Sequence, residues 1–192
     1  LVGINSVIYF LPQVFIKGFG FPENDAIWVS VGIGLVNFLA TIAATFIMDR
    51  FPRKKLLILG SVTMTIALAV LAVLNFTGDV ATLAVPTMVL IACYILGFAL
   101  SWGPIAWVLI GEIFPLSVRG IGSSFGSAAN WLGNFVVSQF FLMLLALFGN
   151  NVGGPFAIFG VFSALSIPFV MHFVPETKGK SLEQIEEEMV RR

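Results

Sequence analysis

Ile27–Met48 reads IWVSVGIGLVNFLATIAATFIM, with no charged residue, and Asp49–Lys55 follows as DRFPRKK. About 20 largely apolar residues are what a helix needs to cross the hydrocarbon core of a bilayer. A knot of cations at one end is what keeps that end on the cytoplasmic side. The rest of the chain has the same character: of its 192 residues 58% are hydrophobic and only 10% charged, and the mean hydropathy is +1.02. Soluble domains carry about 25% charged residues. So little charge cannot cover a water-facing surface, and lipid is the expected surrounding. The formal net charge of zero leaves no basic footprint for nucleic acid. The single cysteine, Cys93, lies in an apolar run and reads as core filling. The chain opens at Leu1 inside an apolar segment with no charged stretch ahead of it. A signal peptide does not begin this way, and the chain is expected to be a piece of a longer protein.

Five further stretches match the first: residues 1–17, which is short, then 56–76, 84–113, 121–148 and 153–174. The expected fold is therefore an all-α membrane protein with six transmembrane helices, in which residues 1–175 form the bundle and 176–192 a cytoplasmic tail. Arg50, Arg53, Lys54 and Lys55 follow the second span, Arg119 lies between the fourth and fifth, and Lys178, Lys180, Arg191 and Arg192 follow the sixth. Only Lys17 falls on the opposite side. The bias makes the crowded side cytoplasmic, with the C-terminus inside. In the tail, Ser181 and Gln184 have the spacing of a capping box. Leu182, Ile185 and Met189 make an apolar stripe, and Glu187–Arg191 and Glu188–Arg192 are i,i+4 pairs. A short amphipathic helix is expected there, with a frayed tail as the alternative.

Two polar stripes interrupt the apolar spans. The second span carries Ser30, Gly34, Asn37, Thr41 and Thr45; the fifth carries Ser123, Ser127, Asn130, Asn134 and Ser138. Each set keeps to one helix face. The two spans hold the same place in successive triplets of helices that run in opposite directions, which is the layout of a 3+3 inverted repeat. Small and hydroxyl residues serve close helix packing. The asparagines point instead to a hydrated face, because an unpaired buried amide costs roughly 2–7 kcal/mol and an intramembrane hydrogen bond returns about 0.6. The third and sixth spans lack such a stripe and read as lipid-facing scaffold. In the fourth span Gly97, Ser101, Gly103 and Pro104 fall within two turns and predict a break, tolerable only where it is buried or lines water. Trp102 and Trp107 flank it. Trp107 lies too deep for an interfacial anchor, and its indole suits the apolar face of a sugar ring with one hydrogen bond to give. Glu112 and Arg119 bracket the next turn, at Pro115, and Arg119 is the nearest cation in sequence. These charges read either as solvated surface groups or as a latch that closes the cytoplasmic side.

Several segments together resemble the sugar porter family of the major facilitator superfamily. They are Gly3-Ile4-Asn5-Ser6-Val7-Ile8-Tyr9, Asp49-Arg50-Phe51-Pro52-Arg53-Lys54, Gly103-Pro104-Ile105-Ala106-Trp107, Gly111-Glu112-Ile113-Phe114-Pro115 with Arg119-Gly120, and Pro175-Glu176-Thr177-Lys178-Gly179. They span nearly the whole chain in the family's order and match its last six helices, half of a twelve-helix fold. The resemblance implies that Asn5, Asn37, Trp107, Asn130 and Trp131 contact sugar, with Phe98 as a further lining residue. It implies that Tyr9 and Pro104 serve gating, and that Asp49, Arg50, Arg53, Glu112, Arg119 and Glu176 form the cytoplasmic charge network. Pro52 stands where the family loop has glycine and Lys54 where it has a second arginine, which leaves the pairing of Arg53 open.

The function this implies is secondary transport of a monosaccharide, a hexose or pentose, across the plasma membrane by alternating access. Sugar:proton symport is the expected mode, with facilitative uniport, a polyol substrate such as inositol, and a sugar-sensing role as alternatives. The expected partners are the sugar, membrane lipid, the preceding six-helix half and protons; neither cofactor, metal nor enzymatic chemistry is expected. The only histidine, His172, has no nearby serine or ligand set.

Overall fold

The structure, a computed structural model, describes residues 2–78, 80–114 and 118–180, with backbone alone at 80–82. Among these residues seven helices follow in order: α1 Ile4–Phe19, α2 Glu23–Arg50, α3 Arg53–Thr77, α4 Val80–Ala99, α5 Trp102–Glu112, α6 Arg119–Leu147 and α7 Gly153–Phe173. Five stretches, Glu23–Arg50, Arg53–Thr77, Leu83–Glu112, Arg119–Leu147 and Gly153–Phe173, are long and apolar enough to cross a membrane. The 16-residue α1 is shorter. The third of these stretches contains the expected break, so α4 and α5 are two pieces of one span. The amphipathic helix expected over the tail, together with Pro115 and Asp79, lies outside the described residues.

Local chemistry sets the helix ends. Gly20 takes a φ of 68° after α1, and the Gly20 and Phe21 N–H groups donate back to the carbonyls of Ile16 and Phe15. This is the glycine-terminated helix end that only a residue without Cβ adopts cheaply. Pro22 and Pro52 precede α2 and α3, where a fixed φ suits entry into a helix and no N–H is lost.

α3 is the most buried span and the axis of the bundle. Leu57, Gly60, Ser61, Met64, Leu68 and Leu71 face inward along it, against α7 on one side and α4 on the other. At the α3–α4 crossing Gly60 and Gly97 bring the backbones together: a Cβ on Gly60 would run into the Ser101 side chain and the Gly97 carbonyl. This corrects the expectation that the third and sixth spans simply face lipid. Each turns one face to the other and exposes only its outer face, as at Leu59, Ile66 and Leu165. α1 and α4 complete the core through Val7, Leu11, Phe15, Ile91, Tyr94 and Ile95, joined by Phe141 of α6 and Phe159 of α7. The Tyr94 hydroxyl donates to the Val2 carbonyl at 2.7 Å.

α2 and α6 are covered least. α2 buries only Ala26, Ile33, Ala40 and Ala44, and α6 only Phe141 and Leu145. Phe38, Phe46, Phe125, Trp131, Leu132 and Phe135 project outward from them. The two stripe-bearing helices thus present open faces, and the residues expected to meet sugar lie on them or beside them.

Candidate sugar-facing wall and charged rim

The break comes between Ala99 and Trp102. Ser101 sits at φ −134°, ψ −88°, outside helical geometry. Its hydroxyl donates to the Gly97 carbonyl at 2.6 Å and its carbonyl accepts from the Ile105 N–H at 3.1 Å, so both helix ends are partnered. Pro104 then falls in the first turn of α5, where proline costs nothing. On this 11-residue helix, Ile105 and Leu109 pack with Leu57 of α3 and with Val170 and Val174. At about 100° per residue, Trp102, Ile105, Leu109 and Glu112 share one arc and Trp107 lies opposite it. Trp107 is accordingly 45% exposed. The two tryptophans of the motif differ in kind: the Trp102 indole N–H donates to the Ser61 hydroxyl at 2.8 Å, while among the described residues Trp107 has no such partner.

The other expected sugar contacts are likewise open. Asn5 and Asn37 are half-buried and Asn130 is exposed, and among the described residues their amides make no hydrogen bond. Tyr9 and Trp131 are 57% and 58% exposed. Tyr9 lies one turn after Asn5 on α1, on the same face. Phe98 is half-buried, packed on the core and against Gly103 at the break. α1, α2, α5 and α6, which carry the other five contacts and Tyr9, are joined in contact as α1–α2, α1–α6, α2–α5 and α5–α6. They form a wall. Two cavities lie away from it: an apolar groove of about 310 Å³ between α2, α3 and α4, and one of about 290 Å³ beside Lys17, Asn75 and Asn150.

The stripes divide by use. Ser30, Thr41 and Thr45 donate to carbonyls of their own helix, the local bond that hydroxyl residues make in mid-helix. Ser123 crosses to the Ile110 carbonyl at 3.0 Å. Ser138 lies 3.2 Å from the Ser6 hydroxyl and donates to Asn134 at 3.3 Å. Asn134 thus accepts a bond within α6, one turn from Ser138, while among the described residues Asn37 and Asn130 stay open.

At the rim, Glu112 pairs with Arg53, at 3.3 Å between Oε1 and Nη2, not with Arg119 as the sequence spacing suggested. The physical reason is helix packing. α5 lies against the start of α3, so the guanidinium 59 residues back is nearer in space than the one seven residues ahead. Arg119 turns instead to the C-terminal end of α5, where its Nε donates to the Phe114 carbonyl at 3.3 Å. A cation there also suits the negative end of the helix dipole. Glu176 does something the sequence did not signal. Its carboxylate accepts the backbone N–H groups of Arg53 at 3.0 Å and Lys54 at 3.1 Å, and of Lys178 at 3.0 Å. It thus caps α3 at an end where Pro52 offers no capping side chain. The Lys178 ammonium donates to the Arg50 carbonyl, and Lys54 to the Met171 carbonyl at 2.8 Å. Asp49 and the Arg50 side chain are exposed and outside this web. Among the described residues, Glu112 Oε2, Arg53 Nε, Arg119 Nη2 and Thr177 Oγ1 are buried without a partner.

Known proteins match this chain over nearly its whole length. The family described as "Sugar (and other) transporter" matches residues 1–189. A D-xylose transporter of Levilactobacillus brevis is 41% identical over 97% of the chain and 40% of the relative. The glucose transporter GlcP of Staphylococcus epidermidis is 38% identical over 98% of the chain and 42% of the relative. The solved structure of the proton:xylose symporter XylE bound to 6-bromo-6-deoxy-D-glucose superposes with a TM-score of 0.84 at 37% identity, over 97% of this chain and 39% of that one. The chain thus spans about two fifths of the length of the relatives it matches. The kinship is with integral, multi-pass membrane transporters rather than enzymes.

Proposed function

The chain belongs to the sugar transporter family, and on that premise we propose that it is one wall of a secondary transporter that carries a monosaccharide, a hexose or pentose, by alternating access. The observation that carries this reading is Trp107: a large indole with its N–H unspent, held in the open by a helix whose opposite face is packed. The unpaired amides of Asn5, Asn37 and Asn130 support it, since sugar hydroxyls need donors and acceptors that helix packing has not consumed. Xylose and glucose are named among the relatives' substrates, and either ring offers an indole the same C–H face.

In this reading the seven helices make six spans, arranged as a 3+3 inverted repeat that is half of a twelve-helix bundle in the plasma membrane. The Arg53–Glu112 rim and the tail, with its amphipathic helix, are cytoplasmic. Tyr9 and Pro104 act in gating, and Phe98 and Trp131 border the sugar. Proton coupling is the proposed mode. Every carboxylate of this chain lies outside the middle of a span, so the proton carrier would belong to the preceding half. Uptake of labelled xylose and glucose into vesicles holding the full-length protein, with and without an inward proton gradient, tests this. Gradient-driven accumulation supports symport, equilibration alone assigns uniport, and no saturable sugar uptake would overturn the transport reading.

A further inference from the structure

The proposed function uses Trp107 and leaves Trp102 aside, yet Trp102 is the more elaborately held of the two. Its indole N–H donates to Ser61 Oγ of α3 at 2.8 Å. Ser61 is fully buried and its hydroxyl lies 2.7 Å from that of Ser166 of α7. Ser166 in turn donates to the Ser163 carbonyl at 2.6 Å. A hydroxyl has one proton to give. Ser166 divides its one proton between Ser61 Oγ and the Ser163 carbonyl, so Ser61 is the acceptor of the bond between the two serines. Ser61 of α3 thus accepts from α5 on one side and from α7 on the other, and ties the three helices at one buried oxygen. Ser163 Oγ, fully buried and without a partner, lies one turn before Ser166.

This chain of bonds meets α5 one residue after the break. Ten residues on, Glu112 binds Arg53 of the same α3. α5 is therefore fastened to α3 at both ends, and Trp107 stands midway on the face turned away. The two fastenings differ. The Arg53–Glu112 pair is at the rim, with side chains 17% and 27% exposed, where water still reaches both charges. The Trp102–Ser61–Ser166 bonds meet instead at Ser61, which is fully buried where α3 packs against α7. An element held firmly at one end and loosely at the other turns about the firm end.

We propose that Trp102, Ser61 and Ser166 form the pivot of α5 and are the positioning residues that set where the Trp107 indole meets sugar. The proposal rests on the sugar reading for its consequence, but the pivot itself is independent of any ligand. Trp102 keeps its place through the bonds of its N–H, and Trp107 inherits its place from Trp102 through five residues of rigid helix.

The test uses the full-length protein and four variants: Trp102→Phe, Ser61→Ala, Trp107→Ala and the double variant Trp102→Phe/Trp107→Ala. Hydrogen exchange without sugar should show faster exchange over 102–112 in Trp102→Phe and in Ser61→Ala. Xylose and glucose binding should weaken by about three- to tenfold in both, the fold-change of one lost hydrogen bond, with membrane abundance and maximal velocity near those of the parent. In the double variant Trp102→Phe should cost nothing beyond Trp107→Ala, because residues that act through one another are not additive. Unchanged exchange over α5 in both single variants overturns the pivot, whatever the sugar results. Faster exchange with unchanged affinity, or with fully additive losses in the double variant, overturns the positioning role. If the parent binds neither sugar, the sugar reading falls, while the exchange arm still decides the pivot. Ser61→Ala removes only one oxygen, so it remains informative should Trp102→Phe fail to accumulate.

Discussion

Trp107 and Asn37 are the residues on which the sugar reading stands or falls, because each offers an unspent polar group from an open helix face. Trp107→Ala removes an exposed ring and opens no cavity, so abundance in the membrane should stay near the parent's. Affinity for the transported sugar should fall roughly three- to tenfold, the range of a lost aromatic contact of about 0.5–1.5 kcal/mol. Equilibrium binding on quantified membranes checks both. A drop in abundance with affinity preserved would return Trp107 to packing. Asn37→Ala should follow the same pattern through one lost hydrogen bond, about 0.5–1.5 kcal/mol. Asn134→Ala should do the reverse, weakening the Ser138 contact between α6 and α1 and lowering thermal stability while leaving affinity alone.

Among the helices, α3 and α5 show how the rim works. The Arg53–Glu112 contact joins them where Glu176 caps α3, so three segments far apart in sequence meet at one helix start. Glu176→Gln keeps the shape but replaces one carboxylate oxygen by an NH2 that cannot accept, so one of the two N–H bonds at the start of α3 and the negative charge at the positive end of that helix are lost. The loss should be about 0.3–1 kcal/mol, read as a lower melting temperature of the purified full-length protein. Arg53→Ala and Glu112→Gln should each raise thiol labelling of cysteines introduced at the helix ends around this rim, and the double variant should be no more accessible than either alone. Arg119→Ala, which among the described residues frees the Phe114 carbonyl, should add independently; coupling of Glu112 to Arg119 instead would restore the pairing that sequence spacing suggested. The break in the fourth span was legible because Ser101, Gly103 and Pro104 announce it locally, and the spans were legible from hydropathy. The Arg53–Glu112 pair, the Glu176 cap and the Ser61–Ser166–Trp102 chain were not. Each joins residues at least 41 positions apart, and nothing in a one-dimensional pattern distinguishes Ser61 from the hydroxyl residues that only bond their own helix. The resemblance supplied the names of the rim charges but not their partners.

For the whole molecule the decisive feature is the pair of nearly naked helices. α2 and α6 bury six residues between them, while large side chains such as Trp28, Phe38, Phe125, Trp131 and Phe135 remain uncovered. Lipid can cover the apolar ones, but it cannot satisfy the open amides of Asn37 and Asn130, whose unmet burial costs roughly 2–7 kcal/mol each. The polar wall therefore calls for another polar wall and water between them, which is the geometry of a site between two halves. The relatives, about two and a half times as long as the stretch matched here, leave room for it. A single wall cannot enclose a sugar or expose it to alternate sides in turn. This chain expressed alone in vesicles should therefore give no saturable, stereospecific flux of xylose or glucose. Co-expression with the proposed other half should restore flux, and Trp107→Ala in this chain should weaken the affinity of what is restored. Robust stereospecific flux from the isolated chain would mean that these helices close a pathway by themselves, and the open faces of α2 and α6 would then have to meet in a second copy.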